Sequence, residues 1–388
     1  ENDMKKYLII TQRCPYPPYK TGGVHTIYNI LKNIPSNVKI DLFYYYEKDP
    51  EAEMHISKMV NKIIYKKLYK NPDFVTRLLF FLRKIPDYFA EINFDKIASS
   101  IFFNEYDVVI VDQIYSLPFV NCVSINIPII CMMHDNNILL YERKLEREKS
   151  LFKKIYIKKQ CSYFKKIEDK YFDRLKKIIY VSELDMNIAK KTHKLCPAEF
   201  ASITLGVDMP EITHLSQPSS NSIAFSGVMD YGPNEDAAYF FATEIFHKIK
   251  SEIPDAKFVI VGKNPTNKLK IIESKSIVLT GFVKDITTAI TQSEIYVSPL
   301  RYGSGTKNKV LEAMAAGMPV FATEVSREGI EGLIDGENCF YINEDNMADV
   351  IIENLKDKKL LKKVANNGKE FVKKHHSWNG IFDAFILD

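Results

Sequence analysis

Between residues 295 and 324 the chain reads IYVSPLRYGSGTKNKVLEAMAAGMPVFATE, and few folds accommodate that run. Residues 295–300 are a short apolar run reaching Pro299, the pattern of a strand buried in a parallel sheet. Gly303 and Gly305 break it and let the backbone come close to a ligand. Thr306 is placed to cap the helix that follows, and Gly317, with Pro319 just beyond, ends it. Residues 319–323 read as the next strand. Such a unit points the helix's N-terminal N–H groups and positive dipole end at whatever lies above the loop. Lys309 and Glu312 stand one turn apart on that helix. A cation at the phosphate end and a carboxylate farther along suit a nucleotide. The lysine and the amides take a diphosphate, and the carboxylate accepts from ribose hydroxyls.

The chain has 388 residues, more than one core usually supports, so two domains of ordinary size are expected. Lys and Arg number 53 against 49 Asp and Glu, a net charge of +4, too balanced to make nucleic acid the main partner. The six cysteines (Cys14, Cys122, Cys131, Cys161, Cys196 and Cys339) show no C-x-x-C spacing and read as reduced core thiols of a reducing compartment. No stretch is apolar enough to span a bilayer, and no secretory apolar region opens the chain. The expectation is a cytoplasmic protein. Residues 1–3, before Met4, are set aside.

Along the first half, residues 5–11, 39–46, 107–112, 128–133, 178–181 and 201–205 read as strands. After the first strand comes a proline-rich loop, then Gly22 and Gly23 at the start of an amphipathic helix, a second possible anion or sugar site. The strand at 128–133 delivers His134 at its carboxyl end, where open α/β sheets bind ligands. Asp135 is expected to cap the next segment or to orient the histidine. Ser182 to Asp185 forms an S-x-x-D capping box. Residues 51–103 read as helical. Within them Lys62, Lys66, Lys67 and Lys70 precede an aromatic, basic run at 74–84. Its apolar side is read as packing on the sheet, with contact to an anionic membrane surface as the alternative. Residues 141–177 read as long helical structure with a solvated charged face, part of it open to an anionic acceptor or lipid.

A polar linker at 214–222 separates the halves. In the second half, residues 223–227 form a strand ending at Gly227, and Pro233 with Asn234 opens a helix. Residues 257–261 are a strand ending at Gly262 and Lys263. Residues 277–280 are another, ending at Gly281, Phe282 and Val283. Residues 338–342 read as an edge strand, followed by two charged helices and by Trp378 and Phe382 as packing anchors.

Residues 312–320, EAMAAGMPV, resemble the second half of the signature of group 1 glycosyltransferases, the retaining enzymes of GT-B fold that use nucleotide-sugar donors. The usual pattern places two glutamates seven residues apart. Here the first falls on Ser304, in a G-S-G-T loop. Residues 18–23 resemble the family's P-x-x-x-G-G loop, which closes over the donor diphosphate, and 206–208, GVD, resemble its interdomain hinge. An arginine–lysine pair usual in the family is replaced at 229–234 by M-D-x-x-P-N. The resemblance implies an α/β protein with two doubly wound, Rossmann-like parallel-sheet domains facing across a cleft. These would be an acceptor-side domain at 4–208, a donor domain at 209–370, and a last helix at 371–388 crossing back.

It further implies transfer of a sugar from a nucleotide-diphosphate sugar, UDP- or GDP-linked, to a hydroxyl of a glycan, lipid-linked or other acceptor in surface-polysaccharide or glycoconjugate synthesis. His134 would hold the donor sugar. Lys309 and Arg301, with the amides of Gly303, Ser304, Gly305 and Thr306, would meet the phosphates. Glu312 would accept from ribose. Gly22, Gly23, Asn234, Gly262 and Lys263 would line the donor site. Phe282 or Val283 would cover a face of the base, although Phe282 reads equally as core. No metal cluster is visible, no cofactor is expected, and the leaving phosphate stands in for a general base. Contact at the inner face of a membrane stays open. The competing readings are a nucleotide-sugar epimerase and a non-catalytic partner subunit.

Overall fold

In the computed structural model of the chain, residues 4–16, 22–68, 75, 79, 101–210 and 218–387 are described. Among them every ladder of paired strands is parallel. The first sheet contains β1 (Lys5–Thr11), β2 (Val38–Tyr44), β3 (Lys62–Tyr65), β4 (Val108–Asp112), β5 (Ile129–Met133), β6 (Lys177–Tyr180) and β7 (Glu199–Ser202). Their order is β3-β2-β1-β4-β5-β6-β7. The second contains β8 (Ser219–Ser226), β9 (Lys257–Val261), β10 (Ile277–Gly281), β11 (Ser293–Ser298), β12 (Val320–Ala322) and β13 (Phe340–Tyr341), ordered β10-β9-β8-β11-β12-β13. All five residues of β4 and of β5 are buried, as expected when helices cover both faces of a sheet. Each order reverses direction once, between β1 and β4 and between β8 and β11. At such switch points the loops diverge and leave a crevice at the carboxyl ends.

The chain divides into two compact units. One is Glu1–Thr204 with Trp378–Asp388, the other Leu205–Ser377. The division falls at 204/205, where the sequence reading put it after Asp208. Helix Lys358–His375 stays in the second unit, and only the segment from Trp378 returns to the first. There Phe382 meets the ring of Tyr7 edge-on at 5.7 Å, and Trp378 meets His25 at 5.3 Å. Both are buried and pack as anchors. The first unit's core joins Leu8, Val109, Cys131 and Ile178 from the sheet to Phe164 and Phe172 from a covering helix. In the second, Phe225, Phe258 and Val297 pack under Phe241 and Ile351.

Two helical expectations are corrected. Lys62–Tyr65 is a strand, not helix: its sequence KIIY suits a pleated edge, and β2 supplies the partner. The preceding helix is short, Pro50–Ile56. The basic, aromatic stretch from Lys70 to Lys84 lies outside the described residues, apart from Val75 and Leu79. The long charged segment is two helices, Asn137–Arg147 and Leu151–Phe172. They break at Glu148, whose carboxylate accepts from the N–H of Ser150 at 2.8 Å.

Candidate active site

At the carboxyl end of β8 two loops touch backbone to backbone. Gly227 donates its N–H to Val261 O at 3.0 Å. Gly262 has φ 148°, and a Cβ there would lie 1.8 Å from Gly227 O. A Cβ on Gly227 would in turn lie 2.6 Å from Asn234 Nδ2 and 3.0 Å from Lys309 Nζ. The two glycines therefore permit Asn234, early in helix Gly232–Phe240, and Lys309, early in helix Asn308–Ala315, to close over the strand end. Lys309 donates its ammonium to Asn234 Oδ1 and lies 4.8 Å from the Phe225 ring centroid. Asn234 Nδ2 donates to Val228 O at 3.0 Å, which fixes the amide's orientation. Burial lowers the Lys309 pKa to about 7, against the pull of Glu312 and with a contribution from Lys307. The result is a cation site without its full countercharge.

The loop before that helix is set by Lys307, which the sequence reading passed over. Its buried ammonium donates to Ser304 O at 3.1 Å and Gly305 O at 2.5 Å. A trans peptide opposes its C=O and N–H, so these bonds turn the N–H groups of Gly305 and Thr306 away from Lys307. Gly303 at φ 154° and Gly305 at φ 68° supply the required backbone. Thr306 is not the helix cap. Asn308 N–H bonds back to Thr306 O at 3.1 Å, and this tight turn moves the cap to Lys307. The other end is as read: Gly317 at φ 74° donates to Met314 O, and Met318 to Ala313 O, a Schellman closure.

Other expected residues go elsewhere. Arg301 donates to Asp236 at 2.6 and 2.9 Å and to Glu344 at 3.4 Å, and stacks over Phe240 at 4.2 Å. Two carboxylates already match its charge. Phe282 is 64% exposed, which excludes the core reading, whereas Val283 packs against the helix and strand core around Tyr296 and Val310. Lys263 accepts Met229 N–H through its backbone O at 3.0 Å. The residues of the expected hinge are tied at the unit's edge: Val207 N–H donates to His376 O, and the His376 ring lies 2.9 Å from Leu205 O.

In the first unit the switch point carries a relay. Thr11, ending β1, donates its hydroxyl to Asp112 Oδ2 at 2.9 Å. Asp112, ending β4, places Oδ1 at 2.8 Å from His134 Nε2. The carboxylate on the ring is Asp112, and the cap of helix Asn137–Arg147 is Asn136, so neither expected role falls to Asp135. Asp185 gives only half a capping box. Ser182 caps its N–H, but its carboxylate accepts from Asn136 N–H at 3.2 Å.

Helix Gly22–Lys32 starts against this relay, while Pro18 to Thr21 lie outside the described residues. A Cβ on Gly23 would lie 2.2 Å from Gln113 Nε2 and 3.3 Å from the His134 ring. Gln113 itself has φ 64° and ψ 167°, a region essentially reserved for glycine. Its backbone is pinned there by N–H to Met132 O at 2.7 Å and by Ser116 N–H to its own carbonyl at 3.1 Å. Sequence reasoning missed both Asp112 and Gln113. The available signal was an acid ending a buried apolar strand, DVVIVD. Among the described residues no group of three or more His, Cys, Asp or Glu is placed to hold a metal ion.

Comparison with known proteins places residues 220–357 in the family described as glycosyl transferases group 1. The chain is 20% identical over 406 residues to an uncharacterized 44.6 kDa protein in the cps region of Klebsiella pneumoniae, covering 99% of this chain and 100% of that one. It is 25% identical over 185 residues to the UDP-Gal:alpha-D-GlcNAc-diphosphoundecaprenol alpha-1,3-galactosyltransferase of Escherichia coli, 43% of this chain and 45% of that protein. Among solved structures it superposes on TarM with a TM-score of 0.69 at 13% identity over 98% of both chains. It superposes on Anabaena HepE in complex with UDP-glucose with a TM-score of 0.64 at 14% identity over 96% of both. Likeness at such identity establishes the architecture of two parallel-sheet units.

Proposed function

We propose that this chain of GT-B fold is a group 1 glycosyltransferase that moves a sugar from a UDP-sugar to a glycan hydroxyl in the making of a surface polysaccharide. The observation that carries this reading is Lys309. Among the described residues its hydrogen-bond partner is a neutral amide, Asn234, at a strand end where backbone approach is closest. A partly buried lysine whose pKa is lowered to about 7 and whose hydrogen-bond partner is neutral gains most from a ligand that brings negative charge. A diphosphate does so. Charge grows on the diphosphate as the glycosidic bond breaks, and a preset cation stabilises that growth more than it stabilises the bound donor. Retention at the anomeric carbon is part of the proposal. Glu312 is assigned to the ribose, Phe282 to the base and His134 to the transferred sugar.

The uridine assignment draws on relatives: HepE is solved with UDP-glucose, and the E. coli relative is named for UDP-Gal. The glycan acceptor draws on the GlcNAc-diphosphoundecaprenol in the E. coli relative's name, and the polysaccharide setting on the relative from a cps region. The test is a thermal-shift series with UDP, GDP, ADP, TDP and CMP on the full chain. A ligand that binds only the folded state raises its melting point by mass action. A shift with UDP, absent in Lys309→Met, supports the reading. A chain that melts cooperatively and shifts with none of the five overturns it.

A further inference from the structure

We propose that the first two turns of helix Leu151–Phe172 are a docking face for an anionic phospholipid surface. The helix buries one side, with Ile157, Gln160, Tyr163 and Phe164 against the first unit. Its opposite side carries large apolar groups in water: Leu151 is 71% exposed, Phe152 86% and Ile155 49%. Single exposed apolar residues are ordinary, but three within five positions form a patch. Around them, Lys149 to Lys166 contains seven lysines and no carboxylate.

Neither feature is what folding selects. A helix N-terminus prefers acidic residues because its dipole end is positive. Here the first turn has no acid and carries Lys153 with Lys154 beside it, and Ser150 makes no side-chain cap. Glu148 is the acid at the rim, held by Ser150 N–H and within the field of Lys153 and Lys144. Lys165 is paired with Asp169 at 2.8 Å, farther along the helix. Local charge and local apolar exposure both work against the isolated protein, in the same two turns. A bilayer bearing anionic headgroups reverses both costs. Apolar side chains enter the headgroup boundary, and lysines meet lipid phosphates. Among the described residues no helix is long and apolar enough to cross a membrane. A second copy of this chain or an acidic protein surface would answer only one of the two features.

The experiment is co-flotation of the full chain with phosphatidylcholine vesicles and with vesicles in which phosphatidylglycerol replaces a third of the lipid. Binding is expected to the anionic vesicles only and to fall with salt. Replacing Leu151, Phe152 and Ile155 by Ser is expected to cut binding about tenfold or more. It should leave the melting point in place, because these side chains are exposed. Lys149, Lys153, Lys158 and Lys166 changed to Gln should abolish binding, at roughly fivefold per lysine. The chain holds a single tryptophan, buried Trp378, so Phe152→Trp adds a second, exposed reporter. Its emission should move to the blue only with anionic vesicles. Equal binding to both vesicle types, unchanged binding of the serine variant, or an unmoved Phe152→Trp emission overturns the proposal. So does a solution dimer that the serine variant dissolves.

Discussion

Asp112 Oδ1 lies 2.8 Å from His134 Nε2, and this contact fixes which ring nitrogen is left to accept. A carboxylate only accepts, so in the neutral ring Nε2 carries the proton and Nδ1 is left as an acceptor. Thr11 holds the other carboxylate oxygen and prevents Asp112 from rotating away. Asp112→Asn keeps the shape and removes the demand for that tautomer. The expected result is a fall in kcat/KM of about a hundredfold, the cost of a misplaced contact. The fold should persist, and the imidazole nitrogen resonances should show the two tautomers mixing. Unchanged kinetics in a variant with mixed tautomers would remove His134 from the reaction.

Lys309 makes stability and binding oppose each other. The unfolded chain keeps this proton to about 10.5 and the folded chain only to about 7. Between those values the unfolded state binds more protons, so stability rises with pH. Below about 7 both states are protonated, and the cost of holding the charge in this partly buried position is fully present. Lys309→Met removes that cost. Its melting point should exceed that of the wild type most at pH 6 and lose the advantage as pH climbs toward 10.5. UDP affinity should fall about a hundredfold or more, as for loss of a charged hydrogen bond. In the wild type, calorimetry above pH 7 in buffers of different ionisation enthalpy should register proton uptake on UDP binding.

What the sequence made legible was local. Lys5–Thr11 and Lys257–Val261 were readable to the residue, because short apolar runs ending in polar or glycine positions have one solution in a parallel sheet. The glycine loop and the end of helix Asn308–Ala315 were readable for the same reason. What it hid was pairing at a distance. Asp112 meets partners 101 and 22 residues away, and Arg301 is taken up by carboxylates 65 and 43 residues away. As a bare letter an arginine beside a glycine loop reads as a phosphate ligand. Lys62–Tyr65 became a strand through the open edge of β2, which no window around it contains.

Gln113 stores strain beside His134. Its φ of 64° with ψ of 167° costs a non-glycine residue about 1–3 kcal/mol. Gln113→Gly should therefore raise the melting point by about 2–4 °C per kcal/mol recovered. Gln113→Ala keeps the strain and loses only the amide, so its melting point should stay near that of the wild type. If the amide meets the sugar, both variants lose kcat/KM alike. Full activity in Gln113→Gly would show the strained position to be a packing consequence of Gly23.

Gly262 and Gly281 separate two reasons for glycine. Both have positive φ, 148° and 66°, and both follow or end neighbouring strands β9 and β10. A Cβ on Gly281 would meet nothing within 4 Å, so Gly281→Ala should cost only the backbone penalty, about 1 kcal/mol. A Cβ on Gly262 would sit 1.8 Å from Gly227 O, and backbone must move to admit it. That movement carries Gly227 away from Asn234 and Lys309, the pair it now lies against. Gly262→Ala should lose more stability than Gly281→Ala in urea unfolding, and it alone should lose UDP binding. Equal UDP affinity in the two variants would mean that the contact between the loops holds the fold and not the site.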